Sequence, residues 1–162
     1  MTATQTQTIQ LPRRSIIKVF WRLHRAIVRV TGARVGLQRP IASKKFGMLR
    51  LTTIGRRSGR TRVAMVGYYE DGPNLVTLAM NGWGTTEPAW WLNLLAVPEA
   101  RVETPDGPRT VVARAATGAE RDRLWARFVD FPGWGEDLDG LTALRRRNTA
   151  VVVFEPRGEA RS

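Results

Sequence analysis

The chain has 162 residues, which is enough for one domain with one hydrophobic core. It has no cysteine and one histidine, so disulfides and thiolate chemistry are excluded and no metal site is expected. A net charge of +12, from 26 Lys and Arg against 14 Asp and Glu, predicts attraction to nucleic acid, an anionic membrane or a phosphorylated ligand.

The N-terminal region divides into a polar lead-in and an amphipathic basic helix. Residues 1–12 are polar and uncharged, which predicts disorder. Over residues 13–32, apolar side chains from Ile16 to Val30 recur on one face and basic ones on another. The helix either packs on the domain or lies, through residues 13–31, on an anionic membrane surface. Without a signal-peptide or membrane-spanning pattern, the expected location is the cytoplasm, with peripheral contact to the inner membrane face as an option.

Residues 33–157 have the pattern of one strand-rich domain, followed by a flexible tail over 158–162. Strands are predicted at 48–54, 63–69, 75–79, 101–104, 111–115 and 151–154, and helices at 89–96, at about 117–129 and from about Asp139. Thr117 and Glu120 have capping-box spacing. Strands joined by hairpins, with helices set aside, indicate an α+β fold. Because strand edges need cover, we expect a split β-barrel of about six mostly antiparallel strands.

An arginine-rich turn separates the first two predicted strands. Residues 52–62 read TTIGRRSGRTR, with two glycines and five arginine or serine side chains that can donate hydrogen bonds. Backbone N–H groups of a tight turn can converge on an anion, and arginines bind phosphate oxygens in pairs. The alternative is a solvated basic turn that interrupts a sheet edge. The Gly-Lys-Ser/Thr ending of a Walker A loop is missing.

A tryptophan pair opens the first helix of the predicted domain. Trp90 and Trp91 follow an Asn81-Gly82 step and Pro88. Flat side chains beside a glycine-containing loop suit a planar heterocycle. The alternative is that one tryptophan belongs to the core and the other forms a partly exposed wall.

Together these segments resemble the deazaflavin-dependent nitroreductase family. The resemblance rests on LTTxGRRSGxxR from Leu51, the Asn81-Gly82 step and PxWWxNL from Pro88, and it covers about residues 46–156. It implies a split β-barrel oxidoreductase that binds coenzyme F420, an 8-hydroxy-5-deazaflavin with a phosphodiester and an oligoglutamate tail. Ordinary flavin mononucleotide (FMN) is the less favoured ligand.

The resemblance also implies roles for individual residues. Those that would bind the coenzyme are Thr53, Arg56, Arg57, Ser58, Gly59 and Arg62 around the phosphate, and Ala79, Met80, Asn81, Gly82, Ala89 and Trp90 around the ring. Trp83, Phe131 and Trp134 would form an apolar wall for the substrate. Tyr68 or Tyr69 could deliver a proton, although strand alternation allows only one of them to face the pocket.

The working hypothesis is hydride transfer from reduced F420 to a flat electrophilic acceptor, such as a quinone or a nitroaromatic. A non-redox, membrane-associated barrel that binds lipid or fatty acid is the alternative. Arg145–Arg147 could contact nucleic acid, but no RNP, KH or helix-turn-helix pattern accompanies them, so no specific nucleic-acid partner is expected. A monomer and a homodimer are both compatible with the sequence.

Overall fold

The computed structural model describes residues 36–81, 86–134 and 148–158. Its elements are β1 (Gly47–Ile54), β2 (Thr61–Asp71), β3 (Asn74–Leu78), α1 (Ala89–Ala96), β4 (Glu99–Thr104), β5 (Gly107–Ala115), α2 (Gly118–Ala126), a 3-10 helix (Arg127–Asp130) and β6 (Val151–Pro156). The predicted N-terminal helix, the helix from Asp139, and the candidate residues Gly82 and Trp83 lie outside the described residues.

The six described strands close into a barrel in the order β1-β2-β3-β6-β5-β4, and each neighbouring pair is antiparallel. This confirms the predicted fold class. Two-residue turns join β2 to β3 and β4 to β5, with Asp71 opposite Asn74 and Thr104 opposite Gly107. Gly107 has φ +112°, a backbone conformation that favours glycine at the end of the second turn.

Side chains that alternate along the strands fill the barrel. Its interior contains Leu49, Leu51, Val66, Tyr68, Leu75, Val102, Val111, Val152 and Phe154, joined by Trp91 and Leu94 of α1. Because α1 contributes to this cluster, it is packed against the barrel by apolar burial rather than by helix propensity alone. This packing fixes the helix that carries the tryptophan pair.

A second apolar cluster lies on the outer face of the barrel wall. β3 and β6 supply its alternate residues, including Val76 and Val153, and α2 with the 3-10 helix covers them through Leu124 and Phe128. Tyr69 belongs to this cluster, and its hydroxyl donates a hydrogen bond to the Leu124 carbonyl oxygen at 2.8 Å. The two clusters therefore use opposite faces of the same strands.

The predicted capping box at α2 is wrong. Thr117 is the N-cap residue, but its side chain makes no capping hydrogen bond. The Glu120 carboxylate instead accepts hydrogen bonds from Arg114 at 2.7 and 2.8 Å, and Arg114 also donates to Glu155 at 2.8 Å. A paired, charge-assisted hydrogen bond is stronger than a neutral capping bond, so the carboxylate turns toward the sheet.

Asp71 joins the barrel to α2 and the 3-10 helix, and this contact predicts a pH-dependent contribution to stability. Its carboxylate accepts two hydrogen bonds from Arg123 at 2.9 Å and one from Arg127 at 2.7 Å. These hydrogen bonds hold the pKa of the Asp71 carboxyl below its usual value of 3.8, and the bond from Arg123 has the largest effect. A lowered folded-state pKa gives stability that is present above the unfolded-state pKa and lost as the pH falls through the folded-state pKa.

We therefore expect Asp71→Asn to lower the free energy of unfolding at neutral pH by on the order of 1 kcal/mol. The difference from the wild type should shrink below about pH 4, where the carboxyl of the unfolded chain is protonated. Urea unfolding of both proteins at neutral and acidic pH measures it. A difference that persists undiminished in acid would contradict this role of the carboxylate.

Candidate functional site

One end of the barrel carries both the arginine-rich turn and α1. β1 ends at Ile54, directly before the turn, and β4 begins at Glu99, shortly after α1 ends at Ala96. β1 and β4 are antiparallel, so the end of the first lies at the same barrel end as the start of the second. The β2–β3 and β4–β5 turns lie at the opposite end. The strand order thus brings together two segments that the sequence separates by about thirty residues.

The turn, residues 55–60, is closed by its own backbone. The Gly55 N–H donates to the Arg60 carbonyl oxygen, and the Gly59 N–H donates to the Gly55 carbonyl oxygen, both at 2.8 Å. Gly59 has φ +63°. A Cβ added to Gly55 would lie 3.0 Å from both the Arg60 oxygen and the Ser58 hydroxyl. Both glycines are therefore needed for so tight a turn.

A buried asparagine of α1 connects the turn to β1. The Asn93 Oδ1 accepts hydrogen bonds from the Arg56 backbone N–H at 3.1 Å and from its guanidinium at 3.4 Å. The Asn93 amide nitrogen donates to the Thr53 hydroxyl at 3.2 Å. Asn93 is 4% exposed and Thr53 is 2% exposed. Asn93 is not among the residues predicted from the sequence, although a polar residue within an apolar helix is a signal for such a role.

The arginines of the turn differ from most other arginines of the barrel in their partners. In residues 36–81, 86–134 and 148–158, several arginines pair with acids, namely Arg39, Arg50, Arg114, Arg121, Arg123, Arg127 and Arg157. None of those ion pairs involves Arg56, Arg57, Arg60 or Arg62. Arg62 donates to the Ser58 hydroxyl at 3.2 Å, which leaves its charge uncompensated. Four unneutralised cations, three on the turn and Arg62 at the start of β2, fit a phosphodiester.

The predicted ring-binding residues are divided between two segments. Ala89 is exposed at the start of α1, and Trp90 is partly buried against the barrel core. Trp91 is 5% exposed and meets Trp90 edge to face, with ring centroids 6.4 Å apart. Trp91 is thus a core residue and Trp90 a partly exposed wall, which is the alternative that the sequence left open. A wall of this kind can still border a planar ligand.

The segment after β3 places its three described candidates in different surroundings. Ala79 is fully buried in the interior cluster, whereas Met80 packs against the outer cluster. Asn81 is exposed. Asn81 is the most exposed of the three and Met80 is partly exposed, and the coenzyme contacts of all three stay predictions.

Phe131 and Trp134 belong to the outer cluster. Phe131 is 6% exposed and stacks on Tyr69, with ring centroids 5.2 Å apart and planes 3° apart. Trp134 packs on Phe46 and Phe128 at centroid distances of 4.9 and 5.0 Å. Of the two predicted substrate contacts, the partly exposed Trp134 offers more accessible surface than Phe131. Their contact with substrate stays a prediction.

The two candidate proton donors face opposite sides of the barrel wall, as alternation predicts. Tyr68 lies in the interior cluster and Tyr69 in the outer one, and both are fully buried. Burial raises the pKa of Tyr68 to about 12, and it also raises the pKa of Tyr69. Because neither hydroxyl is accessible and Tyr69 already donates to Leu124, the placement argues against proton delivery by either residue.

The described residues include neither a metal-binding cluster nor a membrane-spanning helix. They contain no group of three or more His, Asp or Glu side chains arranged to hold a metal ion. In the same residues no helix is long and apolar enough to span a bilayer. Membrane contact through residues 13–31 stays a prediction, because that segment lies outside the described residues.

Known proteins resemble this chain in sequence over most of its length. The family model described as F420H(2)-dependent quinone reductase matches residues 20–155. Rv3178 of Mycobacterium tuberculosis, named as a candidate F420H(2)-dependent quinone reductase, is 30% identical over 75% of this chain and 96% of its own. Rv1261c of the same organism, named F420H(2)-dependent quinone reductase, is 32% identical over 66% of this chain and 68% of its own.

Solved structures share the fold. An F420-H2-dependent reductase matches with a TM-score of 0.59 at 22% identity, over 71% of this chain and 98% of the other. A structure described as a domain-swapped dimer matches with a TM-score of 0.61 at 23% identity, over 87% and 99%. With the family match over residues 20–155, the chain belongs to the F420H(2)-dependent quinone reductase family and is an oxidoreductase whose cofactor is coenzyme F420.

Proposed function

We propose that the protein catalyses hydride transfer from reduced coenzyme F420 to a quinone, with the phosphodiester of the coenzyme bound at the arginine-rich turn. The observation that carries this proposal is the turn itself, which together with Arg62 of β2 presents four unneutralised arginines and is fixed to α1 by Asn93. The oxidised acceptor gains a hydride and a proton and becomes a hydroquinone, while the coenzyme is oxidised.

The residues at this barrel end would bind and orient the coenzyme. Arg57 and Arg60 are exposed and free to close on phosphate oxygens, while Arg56 is anchored through Asn93. Ala89 and Trp90 lie at the start of α1, and Asn93 of the same helix is hydrogen-bonded to Arg56 of the turn. A coenzyme with its phosphate on the turn would therefore place its ring near Ala89 and Trp90. The bound coenzyme supplies the hydride, and the protein supplies position and exclusion of water.

Proton supply from solvent is the simplest route to the hydroquinone. Tyr68 and Tyr69 are both fully buried, and the second is engaged with Leu124. A quinone that has accepted a hydride is an oxyanion with affinity for a proton from water, so an internal acid is not required for the reaction to balance.

A quinone is preferred over a nitroaromatic because the relatives are named as quinone reductases. The lipid-binding alternative gains no support from the relatives, and the barrel interior is filled by side chains such as Leu51, Tyr68 and Phe154. FMN also carries a phosphate, but unlike F420 it lacks an extended anionic tail that could pair with four arginines.

A primary kinetic isotope effect tests the hydride step. Reduced F420 carrying deuterium at C5 should reduce a soluble quinone more slowly than the unlabelled coenzyme in a single turnover, followed by the return of oxidised-coenzyme absorbance. Equal rates with deuterated and unlabelled coenzyme, in a turnover limited by the chemical step, would contradict the proposal. So would the absence of quinone reduction when the coenzyme is bound.

Tyr69→Phe separates a structural role of this hydroxyl from a catalytic one. Losing the hydrogen bond to the Leu124 carbonyl should lower the free energy of unfolding by about 1 kcal/mol. The rate of quinone reduction and its pH profile should stay those of the wild type. A large fall in kcat with unchanged stability would restore Tyr69 as the proton donor.

A further inference from the structure

Asn93 lies at the point where the arginine-rich turn meets the barrel. It is buried, and its amide makes three hydrogen bonds to two residues, Arg56 and Thr53. Both groups of Arg56 that face it are donors, so the side facing the turn must be the amide oxygen. The nitrogen then faces the Thr53 hydroxyl, which accepts its hydrogen bond. The orientation of the amide follows from its partners.

At Glu120 and Asp71 the acceptor for an arginine is a partly exposed carboxylate. At position 93 it is a neutral amide. It holds the Arg56 backbone and guanidinium without cancelling the guanidinium charge. The turn is thereby fixed in shape, while its three arginines and the adjacent Arg62 of β2 remain available to an external anion.

We infer that Asn93 is a positioning residue that sets the affinity for the anionic tail of the coenzyme by fixing the turn with a neutral acceptor. The inference rests on the proposed binding of that tail at the turn. Thr53 acts in the same way, through Asn93, since its hydroxyl is buried and already bonded to the amide. It therefore contributes without touching the coenzyme.

Asn93→Asp is a nearly isosteric test of this role. One carboxylate oxygen can accept from Arg56 and the other from the Thr53 hydroxyl, so each polar contact keeps a partner. The change adds a negative charge directly under the turn, beside the Arg56 guanidinium. If Asn93 only fixed the turn, and its neutral charge did not matter, the aspartate variant would bind F420 as tightly as the wild type.

We expect Asn93→Asp to weaken F420 binding by about tenfold or more, the scale of one charge-assisted contact. Affinity for the deazaflavin riboside without phosphodiester and glutamates should change little. The KM for F420 should rise by a similar factor, with a smaller effect on kcat. Circular dichroism and thermal unfolding establish that the variant is folded. Titration of the wild type and the variant with F420 and with the riboside, followed by intrinsic fluorescence, measures the change in affinity for each ligand.

Thr53→Val is the second variant, in case the aspartate disturbs folding. It leaves the turn and its charges intact but removes the acceptor for the Asn93 amide nitrogen. A smaller loss of F420 affinity, again absent for the riboside, is the expected result. Wild-type affinity for F420 in both variants would overturn the inference.

A third variant, Arg57→Ala, shows whether wild-type affinity in the first two variants contradicts only the role of Asn93 or also the proposed binding of the tail at the turn. If Arg57→Ala loses F420 affinity while Asn93→Asp and Thr53→Val do not, the tail binds at the turn and only the role of Asn93 is wrong. If all three variants bind F420 like the wild type, the tail binds elsewhere and both proposals fail.

Discussion

Replacing Arg56 and Arg57 together with alanine should weaken F420 binding by about a hundredfold or more. On the proposed binding mode each arginine would donate a charge-assisted hydrogen bond to the phosphate, at about 1.5–3 kcal/mol, and none of the ion pairs of the described residues involves either arginine. The loss should be largest at low ionic strength, because exposed charges are screened by salt. Fluorescence titration with F420 at two salt concentrations measures it.

The matched control removes two arginines elsewhere. Arg39→Ala with Arg121→Ala lowers the net charge by the same amount, and both side chains are paired with acids rather than with the turn. This double variant should bind F420 within about threefold of the wild type, since long-range charge acts weakly at physiological ionic strength. Equal losses in the two double variants would show that net charge, and not the turn, attracts the coenzyme.

Gly47→Ala should destabilise the barrel more than a single methyl group usually does. A Cβ at this position would lie 2.5 Å from Cε1 of Tyr68 and 2.8 Å from Cδ of Pro40. Tyr68 is fully buried, so its ring has little room to move away. We expect the free energy of unfolding to fall by about 3 kcal/mol, at the upper end for overpacking. Urea unfolding at neutral pH measures the change.

Two further variants identify the cause of that loss. Gly158→Ala adds the same methyl group where nothing lies within 4 Å, and it should change stability by less than about 0.5 kcal/mol. Combining Gly47→Ala with Tyr68→Leu should recover about 1 kcal/mol or more relative to the sum of the single changes, because the two residues are in contact. Strict additivity would show that the tyrosine ring is not the obstacle.

Much of the fold could be predicted because its signals are local. Apolar segments bounded by turn residues predict all six strands, the last of them as a continuous apolar run, and Pro88 predicts the start of α1. The bounds were less accurate where strands carry polar residues. β5 begins at Gly107 rather than at residue 111, since its first four residues, Gly-Pro-Arg-Thr, lack the apolar run that would mark a strand. The strand order of the barrel is harder to predict from local signals, because closure depends on pairs of strands that are distant in sequence, such as β3 with β6.

The candidate site could be predicted only in part for the same reason. The charged turn and the tryptophan pair are continuous in sequence and were found from their residues. Asn93 was not, because its partners lie 37 and 40 residues away and its role exists only once α1 packs beside β1. Glu120 was assigned to a cap because the sequence shows spacing but not the competing Arg114 on the neighbouring strand.

Titration of the purified protein with F420, followed by intrinsic fluorescence and repeated with FMN and with the deazaflavin riboside, tests the central claim most directly. We expect saturable binding of F420, a much weaker affinity for the riboside, and no displacement of F420 by equimolar FMN. Equal affinity for F420 and for the riboside would contradict binding of the anionic tail at the arginine-rich turn.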